Sequence, residues 1–228
     1  MMLKELFAIF KKDTLLDKAY RRSYRMVDIT WEMFVEAKKS LREKDINELE
    51  IDIHNRDVEV NKFTRQVRRN VLSHLTVAGT DDLYSGLLLV SIIIDVERIG
   101  DYTKNIVELA INHPAKLHGG MFEEDLKRVE TTVEDTFRRV RKIFETSDVQ
   151  DAEKLLRDYH WVNRLCDQRV VDYIKGSDKN VSTSDAVSLA LYFRYLKRIN
   201  SHLRNVATSV VNPFDQIGFK RRGRSGSA

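Results

Sequence analysis

The chain has 228 residues, 42% hydrophobic and 32% charged, with two prolines, nine glycines and one cysteine, the makeup of amphipathic helices that bury one face and solvate the other. Its net charge of +4 comes from 39 basic residues interleaved with 35 acidic ones, which disfavours a general nucleic-acid binder, and the lone Cys166 can form neither an internal disulfide nor a zinc motif. The longest apolar run, Leu87 to Ile94, falls far short of the roughly 18 to 20 residues that span a bilayer, and no signal-peptide pattern precedes it, so a soluble, cytoplasmic protein is expected.

A short N-terminal segment, residues 1–14, carries Leu3, Leu6, Phe7 and Phe10, which cap a bundle or give peripheral contact with a partner or membrane surface. A helix is predicted from about Leu15 to Glu43, because Tyr20, Tyr24, Val27, Trp31, Phe34 and Leu41 recur at spacings of three and four. Asp45 and Glu48 form a capping-box pattern that starts a second helix, with Ile46, Leu49, Ile53, Val60, Phe63, Val67 and Val71 as its stripe. Thr76 to Asp82 supplies a break and a new N-cap, and a third helix runs to about Asn112, stopped by Pro114.

The plan then repeats. Val129, Val133, Phe137, Val140 and Phe144 mark one helix, Ser147 and Asp148 a break, and Val149, Ala152, Leu156, Val170 and Ile174 the next helix. A polar loop from Gly176 to Ser184 leads to a last helix ending at Pro213. The expectation is an all-α, six-helix body of two tandem three-helix-bundle repeats, 15–116 and 121–214, joined through His118-Gly-Gly120 and followed by a basic flexible tail, 215–228.

The third helix occurs twice. Asp95 to Glu108 aligns with Tyr195 to Thr208, pairing Arg98 with Arg198, Ile99 with Ile199 and Asn105 with Asn205. At the same offset Glu97 becomes Lys197, Asp101 becomes Ser201 and Glu108 becomes Thr208, while the packing positions remain apolar. The shared positions read as architecture and the differing ones as a site present only in the first repeat.

Leu83, Leu87, Val90 and Ile94 form an apolar seam whose spacing continues to Glu97 and Asp101, so these carboxylates are expected to extend a buried stripe. At i and i+4 they project from one face, where repulsion raises a pKa or demands a cation. Asp57 and Asn61 offer a second such pair on the neighbouring helix, and hard oxygen ligands of this kind suit magnesium, manganese, iron or zinc. The competing reading is ion pairing with Arg98 or the arginines of residues 65–69.

On the last helix Arg194, Lys197 and Arg204 replace the acid stripe; loss of a site accounts for this more simply than capture of an anion. The histidines show no catalytic or metal-binding spacing, His54 being the one nearest the acids. Glycine-rich phosphate loops and nucleophile elbows are missing from the sequence, and nothing in it asks for an enzyme.

The stretch Asp95-Val-Glu97-Arg98-Ile99-Gly100-Asp101, with Asn105 and Glu108 beyond it, resembles the signature of the PhoU family of phosphate-uptake regulators, and the tandem repeats resemble that family from about Tyr20 to Pro213. The resemblance implies divalent or trivalent metal held by Glu97, Asp101, Asp57 and Asn61, on the first repeat only. It also implies a non-enzymatic regulator that binds a phosphate transporter component, its sensor histidine kinase, or both, and damps uptake and phosphate-starvation signalling. An accessory role beside a sodium-phosphate cotransporter, a metal-storage bundle and a purely structural bundle are the alternatives, and a homodimer stays open.

Overall fold

Thr14 opens the first helix with reciprocal capping: its hydroxyl accepts from the Asp17 N–H at 3.1 Å, and the Asp17 carboxylate accepts from the Thr14 N–H at 3.0 Å. The computed structural model describes residues 14–43, 52–113 and 115–219. Helix α1 spans Leu15–Arg42, α2 Ile53–Ala78 and α3 Leu83–Asn112. A 3-10 turn, Gly120–Phe122, leads into α4, Glu123–Thr146. Helices α5, Val149–Asp158, and α6, Trp161–Ile174, precede α7, Thr183–Val211, and a closing 3-10 turn, Phe214–Gln216. Among the described residues there is no strand, and the chain is an all-α body of two three-helix repeats whose fifth helix is broken in two at Tyr159 and His160.

Two local expectations are adjusted. The capping box at Asp45 and Glu48 lies outside the described residues; α2 is capped by Asp52, which accepts from the Asn55 N–H at 3.0 Å. Asp82 stands at the N-cap of α3 without capping it, because its carboxylate is turned to His74 Nε2 at 2.7 Å.

The core forms where the stripes of α1 and α4 meet. Phe34 and Trp31 each lie 5.4 Å from the Phe137 ring, and Tyr24 meets Phe144 edge-on at 4.9 Å. Beside these rings Arg42 Nη2 lies 2.5 Å from Glu123 and Arg42 Nε 3.0 Å from Glu130, and the buried Tyr192 hydroxyl donates to Glu130 at 2.8 Å. This network ties α1, α4 and α7 together. Burial pushes the Glu130 carboxyl above its ordinary range despite the pull of Arg42 and Tyr192. For Glu123 burial acts upward too, but hydrogen bonds from Arg42 and the Gly119 N–H outweigh it and hold the carboxyl low.

The link between repeats is anchored at both ends. The Leu117 N–H donates to the Leu41 carbonyl at 3.0 Å, and the Met121 N–H donates to Asp178 at 2.7 Å. Gly120 has φ +55°, and a Cβ there would lie 2.3 Å from the Asp178 carboxylate and 2.5 Å from Val181, so the position accepts only glycine. Helix α3 lies against α7. On that seam Asp95 accepts from His202 Nδ1 at 2.7 Å and from Asn205 Nδ2 at 2.9 Å, while Tyr102 packs on Tyr195 with ring centroids 6.1 Å apart. Cys166 is fully buried.

Candidate functional site

Helices α2 and α3 of the first repeat bring three of the four expected residues together. Asn61 Nδ2 donates to Asp57 Oδ2 at 3.0 Å, an i,i+4 bond on α2. Asp101 faces this pair from α3, and the group that joins them is Lys104: its ammonium donates to Asp57 Oδ2 at 2.9 Å and lies 3.6 Å from Asp101 Oδ1. Burial pulls the Lys104 pKa down, but the hydrogen bond and charge of Asp57, with Asp101 behind it, outweigh that and hold the amine above the usual lysine range. Arg98 approaches the other Asp101 oxygen at 3.8 Å. Glu97, one turn back on α3, has no ion pair among the described residues and is half-buried.

In this arrangement the donor set is closed to a metal ion by a cation of the chain itself. The two converging carboxylates already share a cation supplied by the chain, Asn61 turns its amide donors toward Asp57, and no group of three or more acidic, histidine or cysteine side chains among the described residues could hold a metal. A metal would have to displace the Lys104 ammonium. Lys104 went unread in the sequence, although its place three residues after Asp101 is the spacing of a helical ion pair. His54 is exposed.

The expectation that the acids prolong a buried stripe is overturned. Leu83, Leu87 and Ile94 are 41%, 44% and 40% exposed, whereas Leu88, Leu89, Ile92, Ile93, Val96 and Ile99 form the buried face of α3. Between residues 87 and 94 the helix is apolar on nearly every side, so periodicity alone could not choose the inward face. The acids instead continue an exposed apolar stripe, with Val58, Leu72 and Val77 exposed on the adjoining α2.

In the second repeat the corresponding surface is neutral and basic. Asn163 Nδ2 donates to Ser201 Oγ at 2.9 Å, and Asn200 Nδ2 donates to Asn163 Oδ1 at 3.2 Å. Lys197 binds both oxygens of Asp167 at 2.6 Å, with Arg194 3.9 Å from the same carboxylate. Tyr159 has turned away to donate to Asp135.

The family model described as "PhoU domain" matches residues 24–110 and again 126–210, one match for each repeat. Two solved structures share the fold. The crystal structure of PhoU from Pseudomonas aeruginosa superposes with a TM-score of 0.75 over 86% of this chain and 95% of its own, at 20% identity. That of the phosphate transport system regulatory protein PhoU from Streptococcus pneumoniae gives a TM-score of 0.70 over 86% and 93%, at 16% identity. No curated protein matches the sequence.

Proposed function

Because the chain belongs to the PhoU family, a family of phosphate-transport regulators, we propose that it regulates phosphate uptake as a non-enzymatic adaptor at the cytoplasmic face of the membrane, binding a phosphate transporter component, its sensor kinase, or both. The observation that carries this reading is the double match of the PhoU domain across both repeats. No helix among the described residues is long and apolar enough to cross a membrane. The exposed Leu83, Leu87 and Ile94 stripe offers the contact surface, since apolar side chains exposed along one face characterise protein interaction sites. Regulation on this reading does not run through a metal.

The test is a crosslinked pull-down of the full chain from phosphate-replete cells, followed by mass spectrometry, with a Leu87→Glu/Ile94→Glu variant alongside. Recovery of a phosphate carrier or its sensor kinase by the parent, reduced in the variant, supports the adaptor. Recovery of no phosphate-related membrane protein overturns it.

A further inference from the structure

Lys104 has a counterpart one hundred residues on, Arg204, and the two cations have had opposite fates. In the first repeat the cation kept its acids. In the second, Asp101 is replaced by Ser201, and the Asp57/Asn61 pair corresponds to Tyr159/Asn163. Among the described residues Arg204 has no carboxylate partner; Nη2 donates to the Leu156 carbonyl at 3.2 Å, and Nε is buried with no hydrogen-bond partner. Burial alone acts on this guanidinium, and it pushes the pKa down. Arginine does not escape such a position by deprotonating, so the structure holds a half-buried charge that, among the described residues, has nothing of opposite sign against it.

The same side chain lines a cavity of about 900 Å³ between α5, α6, α7 and the C-terminal turn. That volume is at the upper end of small-molecule sites and well beyond what one ordered water fills. Arg157 stands on the wall as a second cation. Among the described residues the wall carries one carboxylate, Glu153, which lies 4.0 Å from Arg157. Ser201 Oγ accepts from Asn163, which leaves its own proton to donate into the cavity. Lys197 pairs with Asp167 at 2.6 Å and Arg194 stands 3.9 Å from the same carboxylate, so Arg204 is the member of the basic stripe with no acid against it among the described residues.

We propose that this cavity of the second repeat binds a phosphorylated small anion, its oxyanion held by Arg204 with Ser201 and Arg157, at the place where the first repeat carries its own acids. The guanidinium fork and a hydroxyl donor suit a phosphoryl group, and the remaining volume accommodates more than a bare oxyanion. The site is independent of the partner contact on α3.

Isothermal titration of the full chain at fixed chloride concentration, with orthophosphate, pyrophosphate and adenosine monophosphate as separate probes, tests this. Saturable binding of at least one probe is expected, weakened about ten- to hundredfold in Arg204→Gln and partly restored in Arg204→Lys. Orthophosphate binding as tightly as the others identifies a bare-oxyanion site; preference for pyrophosphate or the nucleotide identifies a larger phosphorylated ligand. Ser201→Ala, which changes one hydroxyl, keeps the test valid if Arg204→Gln fails to fold, and should weaken binding several-fold. Absence of saturable binding for all three probes, or parental affinity in a folded Arg204→Gln or Ser201→Ala protein, overturns the proposal.

Discussion

Replacing Lys104 by methionine removes the cation between α2 and α3 while keeping most of the side chain's apolar length. The side chain of Asp57 is 10% exposed and that of Lys104 27% exposed, so the pair lies between the surface and buried limits. Exposed pairs contribute about 0–1 kcal/mol, and stripping the partner from a buried charge costs about 3–5 kcal/mol. An intermediate loss of about 2 kcal/mol is expected, which lowers the melting temperature of a chain this size by about 4–8 °C. Asp57→Asn combined with Lys104→Met should recover much of it, because no charge is then left alone. The pH dependence has a definite sign. Lys104 titrates above the ordinary lysine value of 10.5 in the folded chain, so its contribution is complete below that pH and disappears as the pH rises through the folded value. Manganese supplies the decisive comparison. A ligand of the folded state at a hundred times its Kd adds about 2.7 kcal/mol, and this gain is expected in Lys104→Met, where the carboxylates are released, and not in the parent. Calorimetric melts with and without manganese measure both effects. An equal manganese shift in parent and variant would refute the argument that the ammonium occupies the site.

Three further outcomes are expected. Arg42→Met takes the guanidinium from Glu123 and from Glu130, which is left against the buried Tyr192, and should cost about 3–5 kcal/mol in denaturant unfolding. Glu123→Gln should be less stable than the parent at neutral pH, with the gap closing as the pH falls below 4.5, because a lowered carboxyl pKa gives stability that is lost on protonation; melts across that range read it directly. Gly120→Ala should cost about 2 kcal/mol or more in the same unfolding assay, since the left-handed backbone and the 2.3 Å approach to Asp178 both act against a side chain.

The helices and their repetition were legible because apolar spacing, breaks and prolines agree. The stripe from Tyr20 to Leu41 and that from Val129 to Phe144 are core in the structure, as their periods require. The break at Tyr159 and His160 was not legible, since neither glycine nor proline marks it. At the site, the acids were found by comparing the two copies, a contrast that also exposed the basic stripe. What the contrast missed were positions where both copies keep the same charge: Lys104 and Arg204 are both cations, and only their surroundings reveal that one is satisfied and the other is not. The inward face of α3 was hidden for a different reason, because a helix apolar all round gives no moment to read.

The seam between the repeats has a reciprocal form. Position 95 meets 202 and position 102 meets 195, which is the pairing of an isologous two-fold contact written once into a single chain. Its two sides have since diverged, one direction joining Asp95 to a histidine and the other Tyr195 to a tyrosine. Self-pairing of the first half would set Asp95 against Tyr102, and self-pairing of the second would set Tyr195 against His202, so neither half can reproduce the aspartate–histidine bond alone. Cut within the 118–120 link, the halves are therefore expected to prefer each other to copies of themselves, because the aspartate–histidine bond needs one side from each.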